Sequence, residues 1–170
     1  MNKLIETERL YLRMWSLDDA SRLFEICSNP EVMQHIGNRK PYQSIAEAEE
    51  FLNWVINYQK INGFCRWAVI EKKSETIVGS CGLAERNKKE IELGYLFARE
   101  VWGKGYATEA AKGCVKYGFE TLGIKQMIGL TDVNHTASQN VLKKAGFVFR
   151  RIESDGNQGK DVVYEIFNQV

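Results

Sequence analysis

Trp102-Gly103-Lys104-Gly105-Tyr106-Ala107-Thr108-Glu109-Ala110 is the stretch on which the reading of this chain turns. Ahead of it, Ile91-Glu92-Leu93-Gly94-Tyr95-Leu96-Phe97 reads as a β-strand, and behind it small residues recur at helical spacing. A strand, a glycine-containing turn and a helix that opens without a bulky first turn make a layout for holding phosphate. Two glycines let the backbone curl until successive N–H groups converge, the helix N-terminus adds partial positive charge, and Lys104 can add a full one. The dinucleotide fingerprint needs a further glycine where Thr108 stands, and a P-loop needs four residues between its glycines and a Gly-Lys-Ser/Thr ending. Neither fits.

Working outward, Leu10 and Leu12 alternate with Arg9, Tyr11 and Arg13, so a strand opens the chain. Ser16 caps a helix carrying Ala20, Leu23, Phe24 and Cys27, which ends at Asn29-Pro30. Residues 31–43 read as an irregular connector. Ser44-Ile45-Ala46-Glu47 has the form of a capping box and opens a helix that stops near Asn62-Gly63. Three strands follow in quick succession, Arg66 to Glu71, Thr76 to Leu83 and Glu90 to Phe97, joined by short polar links as in antiparallel hairpins. After the glycine turn, Ala107, Ala110, Ala111, Cys114, Gly118 and Leu122 share one small-residue helical face that lets the helix lie close on a sheet. A strand at Gln126 to Thr131, a short helix from about Thr136 to Lys144 closed by Gly146, and two strands around the polar turn Asp155 to Gly159 complete the chain.

The 170 residues suit one domain, 1–170, with mixed α/β architecture and helices on both faces of the sheet. Net charge is +1 with both signs mixed, which leaves no electrostatic footprint for nucleic acid and no polybasic patch for a membrane. No apolar run approaches the ~20 residues of a membrane helix, and Met1 to Glu6 lacks the apolar core of a signal peptide. The expectation is a cytoplasmic protein. Cys27, Cys65, Cys81 and Cys114 are scattered and only two histidines are present, so reduced, buried thiols fit better than a metal site.

With the turn placed after the fourth strand of this reading, the chain resembles the GNAT acyl-CoA N-acyltransferase superfamily. Members bind coenzyme A through a Q/R-x-x-G-x-G/A loop, here Trp102 to Ala107. Its first position departs from that pattern, but W-G-K-G-Y-A-T-E-A is similar to the version in the Rim-type ribosomal-protein N-terminal acetyltransferases and their relatives. Glu6-Thr7-Glu8-Arg9-Leu10, Asn29-Pro30-Glu31-Val32-Met33, Trp67-Ala68-Val69 and the run from Ala137-Ser138-Gln139 to Gly146-Phe147 resemble further landmarks of that branch. The resemblance implies a mostly antiparallel mixed sheet splayed after the fourth strand. It also implies acetyl-CoA as donor, no metal, and an amine as acceptor. A protein or peptide N-terminus is the first reading, for a monomer or homodimer. The alternatives are a small amine (polyamine, amino acid or aminoglycoside) and a catalytically silent coenzyme-A-binding module.

Carried onto this sequence, the resemblance seats the coenzyme A pyrophosphate on the N–H groups of Gly103 to Ala107, including Gly105 and Tyr106, with Trp102 at the loop's start and Lys104 on the solvent side. Backbone of Tyr95, Leu96 and Phe97 pairs with the pantetheine arm, and an N–H near Phe97 holds the oxyanion. Arg99 is either near the phosphates or simply solvated. The tyrosine that many members use as acid falls at Leu142, so the usual acid is absent. Ser138 matches the serine thought to replace it, and helical counting sets Ser138 on the face of Val141, Leu142 and Ala145. Asn134 or His135 takes the asparagine position beside pantetheine. Glu92 is the first candidate base and Asp132 the runner-up, although either can be a plain surface carboxylate. Glu109 reads as structural, a carboxylate at the positive end of a helix. The acceptor enters between the connector around Glu31 to Tyr42 and the last hairpin. Met33, His35, Tyr42, Trp54 and Trp67 either line that mouth or pack in the core.

Overall fold

A computed structural model describes residues 2–37, 40–156 and 159–169. Asn38 and Arg39 of the connector, and Asn157 and Gln158 of the last polar turn, lie outside the described residues. Eight strands form one sheet: β1 (Lys3–Glu6), β2 (Leu10–Arg13), β3 (Arg66–Glu71), β4 (Thr76–Arg86), β5 (Glu90–Phe97), β6 (Gln126–Asp132), β7 (Val148–Ser154) and β8 (Lys160–Phe167). Five helices accompany it: α1 (Ala20–Cys27), α2 (Pro30–Met33), α3 (Ile45–Asn62), α4 (Tyr106–Glu120) and α5 (Thr136–Lys144). The strand order is β1-β2-β3-β4-β5-β6-β8-β7, and every neighbouring pair is antiparallel except β5–β6.

Two elements were not expected from the sequence. β1 precedes the strand read as first, so the strand before the glycine turn is the fifth in chain order. With one buried residue, Ile5, β1 has almost no pattern of its own and exists because it pairs with β2. Within the connector, Asn29 accepts from the Glu31 N–H at 2.9 Å and starts the four-residue α2, with Pro30 at its first position. The Ser16 cap is present as a full capping box with Asp19. The Ser44 box is not made: Ser44 caps nothing with its side chain, and Glu47 accepts instead from the N–H of Gln43, one residue before the cap, at 3.3 Å.

The small face of α4 does what its composition implies. Ala110, Ala111, Cys114 and Gly118 are buried on the sheet, and a Cβ at Gly118 would stand 2.5 Å from the Met127 methyl. Tyr117 meets Trp67 edge to face, 5.4 Å between ring centres, and Cys114 Sγ lies 3.5 Å from Cys81 Sγ. All four cysteines are buried, and burial pushes the Cys65 thiol up to about 12. On the other side of the sheet α1 and α3 pack on each other. Arg13 and Asp19, each 8% exposed, form a two-pronged ion pair at 2.8 and 2.9 Å that fastens β2 to the start of α1.

Candidate active site

β5 and β6 are parallel neighbours joined by a single register pair, Glu92 with Ile128. Beyond that pair they part. β5 stays paired with β4 through Gly79–Phe97, so only its β6 side is released. The Ala98 N–H donates to Val78 at 2.9 Å, and antiparallel alternation therefore turns the N–H and C=O groups of Tyr95 and Phe97 toward the gap. The Phe97 carbonyl is taken by the Trp102 indole N–H at 2.9 Å, which folds the glycine turn back onto the strand end. Tyr95 and the Phe97 N–H are left facing a cleft of about 760 Å³.

The glycine turn closes one end of that cleft. Gly103 and Gly105 have φ of +78° and +80°, a left-handed conformation in which a side chain is strained, so each position calls for glycine. Gly105 is the N-cap of α4, and helix geometry leaves the first N–H groups of α4 without intrahelical acceptors. The Lys104 N–H instead turns to the Val101 carbonyl at 3.4 Å, so the turn offers its donors around Lys104 rather than through it. Trp102, Gly103, Gly105, Tyr106 and Ala107 line the cleft and Lys104 does not. Arg9 and Glu109 brace this turn from behind. The Arg9 guanidinium donates to the Lys104 carbonyl at 2.8 Å and to Glu109 at 2.7 Å, and stacks over the Tyr106 ring at 4.7 Å. Tyr106 donates its hydroxyl to Glu71 on β3.

Ser138, on the first turn of α5 and 9% exposed, faces the cleft, with its Oγ 2.9 Å from the Tyr95 hydroxyl. Leu142 is fully buried against Gly129 of β6. Glu92 also lines the cleft, on the sheet face opposite Tyr95, and accepts from Arg66 at 3.0 Å. Arg66 lies flat over Gly94, where a Cβ would come within 2.5 Å of its guanidinium carbon. Asn134 is exposed, outside the lining, and its N–H donates to Asp132 at 2.6 Å, whereas His135 and Asp132 do line the cleft. Arg99 donates to Glu31 at 2.8 Å and stacks on Trp102.

Of the five residues considered for the acceptor mouth, His35 alone lines the cleft. Met33 and Trp67 are core, 1% and 0% exposed, Tyr42 packs against that core, and Trp54 is exposed on α3 outside the lining. His35 stacks on His135, ring centres 3.8 Å apart, and so joins the segment after α2 to the loop between β6 and α5. Burial and the facing His35 lower the His135 pKa, while Asp132 pulls it back up.

The sequence reading missed Arg9, Arg66, the Tyr95 hydroxyl and the carboxylates Asp155 and Asp161, both in the cleft lining. Asp161 is opposite Asp132 on β6 and Glu153 on β7. Burial raises its pKa, with Asp155, Asp132 and Glu153 adding to the rise and Arg86 opposing it. Among the described residues, no group of three or more His, Cys, Asp or Glu side chains is placed to hold a metal ion, and no helix is long and apolar enough to cross a membrane.

This geometry suits a thioester donor: backbone donors for a pyrophosphate at one end, free strand amides for an amide-bearing arm, and a hydroxyl and carboxylates beside the gap. The model of the "Acetyltransferase (GNAT) domain" matches residues 9–148. YkkB of Bacillus subtilis is 33% identical over 149 residues, covering 85% of each chain. The spermidine N(1)-acetyltransferase of Escherichia coli is 27% identical over 80% of this chain and 71% of its own. Among solved structures, a GNAT-family acetyltransferase from Bacillus anthracis superposes with a TM-score of 0.84 at 24% identity, over 96% of this chain and 97% of that one. RimL, a ribosomal L7/L12 α-N-protein acetyltransferase in complex with coenzyme A, reaches 0.84 at 15% identity over 98% of both chains.

Proposed function

This chain belongs to the GNAT acetyltransferase family, and from that premise we propose that it binds acetyl-CoA in the β5–β6 cleft and acetylates the primary amine of a protein or peptide N-terminus. The parting of β5 from β6 beside the left-handed Gly103–Gly105 turn carries this reading. The single eight-stranded sheet supports taking residues 1–170 as one acetyltransferase domain.

In this reading the N–H groups at Gly103 and from Gly105 to Ala107 receive the pyrophosphate, and the α4 N-terminus adds its dipole. Backbone groups of Tyr95 and Phe97 align the pantetheine arm as an added strand would. The Phe97 N–H holds the oxygen that turns negative when the amine nitrogen bonds to the thioester carbonyl carbon. Glu92, braced by Arg66, receives the proton that nitrogen sheds, directly or through water. Ser138 supplies a proton to the departing sulfur. Lys104 and Trp102 frame the outer end of the turn, and His135, rather than Asn134, takes the place beside the arm.

A second reading, a small polycationic amine as acceptor, is favoured by Asp132, Asp155 and Asp161 along the cleft. Titration calorimetry with acetyl-CoA tests the shared premise, and micromolar binding is expected. Thiol release is then followed with alanine- and serine-initiated peptides, polyamines and aminoglycosides. Peptide turnover supports the first reading and polyamine turnover the second. Binding with no turnover on any amine would leave a coenzyme-A-binding module, and no binding would end all three.

A further inference from the structure

Tyr95 belongs to the cleft twice over. Its backbone faces the gap on the β6 side, while its side chain rises from the same sheet face as Cys81 and Trp67, its cross-strand neighbours. That face is the one α4 covers, and the phenol reaches α5. Its oxygen ends 2.9 Å from Ser138 Oγ and 3.1 Å from the Ser138 carbonyl oxygen. Leu142, one turn further along α5, is buried against Gly129 and brings no hydroxyl, so Tyr95 and Ser138 form the hydroxyl pair at this part of the cleft. We propose that Tyr95 is the positioning residue for Ser138: its phenolic O–H donates to Ser138 Oγ and leaves the serine proton directed into the cleft toward the leaving sulfur. This rests on the reading of Ser138 as proton donor given above.

The single phenolic proton has two possible acceptors. Directed at the Ser138 carbonyl, it leaves the phenol oxygen free to accept the serine O–H, and the serine proton then points away from the cleft. Directed at Oγ, it occupies a lone pair of that oxygen, so the serine proton must find another acceptor. Negative charge growing on sulfur selects the second arrangement. In that step the amine nitrogen has already bonded to the carbonyl carbon. The C–S bond breaks with its electron pair on sulfur, and the Ser138 proton moves to that sulfur. The charge left on Oγ is held by the phenol until Oγ regains a proton from water. The nitrogen has given one proton to Glu92 or water and the sulfur has gained one, so the balance closes. Tyr95 stays neutral throughout: burial raises its pKa, with the bond to Ser138 only partly opposing, which makes it a hydrogen-bond donor rather than a proton source. Without the phenol, a serine in the first turns of a helix falls back on a carbonyl of its own backbone.

Three variants test this: Ser138→Ala, Tyr95→Phe and the double variant. Circular dichroism and thermal melting check that each remains folded, and calorimetry reads acetyl-CoA affinity apart from turnover. Ser138→Ala is expected to lower kcat by about a hundredfold, and Tyr95→Phe by about tenfold, both with acetyl-CoA affinity unchanged. The double variant is expected to be no slower than Ser138→Ala, because Tyr95 acts only through the serine. A wild-type kcat in Tyr95→Phe overturns the proposal. So does a double variant slowed by the product of the two single effects, and so does a Tyr95→Phe defect beside an unaffected Ser138→Ala. Wild-type protein that releases no thiol with any amine defeats the functional reading itself, and the proposal falls with it. An active wild type that fails only the variant comparison defeats the proposal alone.

Discussion

Glu109 accepts hydrogen bonds from the Arg9 N–H at 2.7 Å, the Thr7 hydroxyl at 2.7 Å and the Arg9 guanidinium at 2.7 Å, so one carboxylate ties the N-terminal hairpin to the glycine turn. Burial raises its pKa, but the bonds from Arg9 and Thr7 outweigh it and the net value is lowered. A folded value below the free one of about 4.3 means that Glu109 binds fewer protons folded than unfolded. Its contribution is therefore present above about pH 4.3 and is lost as pH falls through the lower folded value. Glu109→Gln keeps an acceptor for Thr7 and the Arg9 N–H but sets an amide donor against the guanidinium. The expected loss is about 2 kcal/mol at neutral pH, or roughly 5 °C in Tm, shrinking as the pH is lowered toward 3. An equal deficit at both pH values would show that the charge is irrelevant. A structural role for Glu109 was legible from its place at a helix start, but its partners were not, since only folding brings Thr7 and Arg9 to it. The same limit hid the Tyr95 hydroxyl. Strand alternation gives the face of a side chain and says nothing of which helix lies over it.

Among the elements, the glycine turn was the most legible, because a left-handed backbone leaves few residue types comfortable and two glycines stand where two such values of φ occur. The splay was legible only through the family resemblance, not from any residue pattern. Nothing within β5 or β6 alone marks where their pairing stops, since β5 stays paired with β4 and β6 with β8 past that point. β1 and α2 escaped for a different reason, each being four residues long with too few buried positions to make a period. The turn's role can be separated from its stability by two matched substitutions. A Cβ on Gly105 meets only Arg9 Nη2 at 3.5 Å, and Gly63, the left-handed cap of α3, has open space around it. At φ of +80° each, Gly105→Ala and Gly63→Ala are both expected to cost about 1 kcal/mol from backbone strain. Only Gly105→Ala is expected to weaken acetyl-CoA binding, by about five- to tenfold, as the first N–H groups of α4 swing off the pyrophosphate. Equal affinities in the two variants would remove the turn from the binding site.

For the whole molecule, the near-neutral charge hides an uneven distribution, and the acceptor question lies there. Asp132, Asp161 and Glu153 stand side by side on β6, β8 and β7, with Asp155 adjacent at the end of β7. Burial raises the pKa of Asp161 first, and the facing carboxylates add to the rise, as like charges in cross-strand register oppose folding. A folded value above the unfolded one of about 3.9 means that Asp161 favours folding only in its protonated form. That contribution is full below about pH 3.9 and is lost as pH rises through the folded value. Asp161→Asn is therefore expected to stabilise the protein at pH 7, with the gain vanishing near pH 4, as melting curves at the two values would read. A row that weakens the fold is tolerated more easily if a cation completes it when the acceptor binds. If the acceptor is a polyamine, Asp161→Asn raises the KM for it about tenfold and leaves acetyl-CoA affinity alone. If the acceptor is a peptide N-terminus, the KM of a peptide with neutral second and third residues is unchanged, and the substitution yields only the gain in stability. A stabilised variant with unaltered kinetics on both amine classes would therefore remove the carboxylate row from acceptor recognition, and with it the observation that favours a polycation.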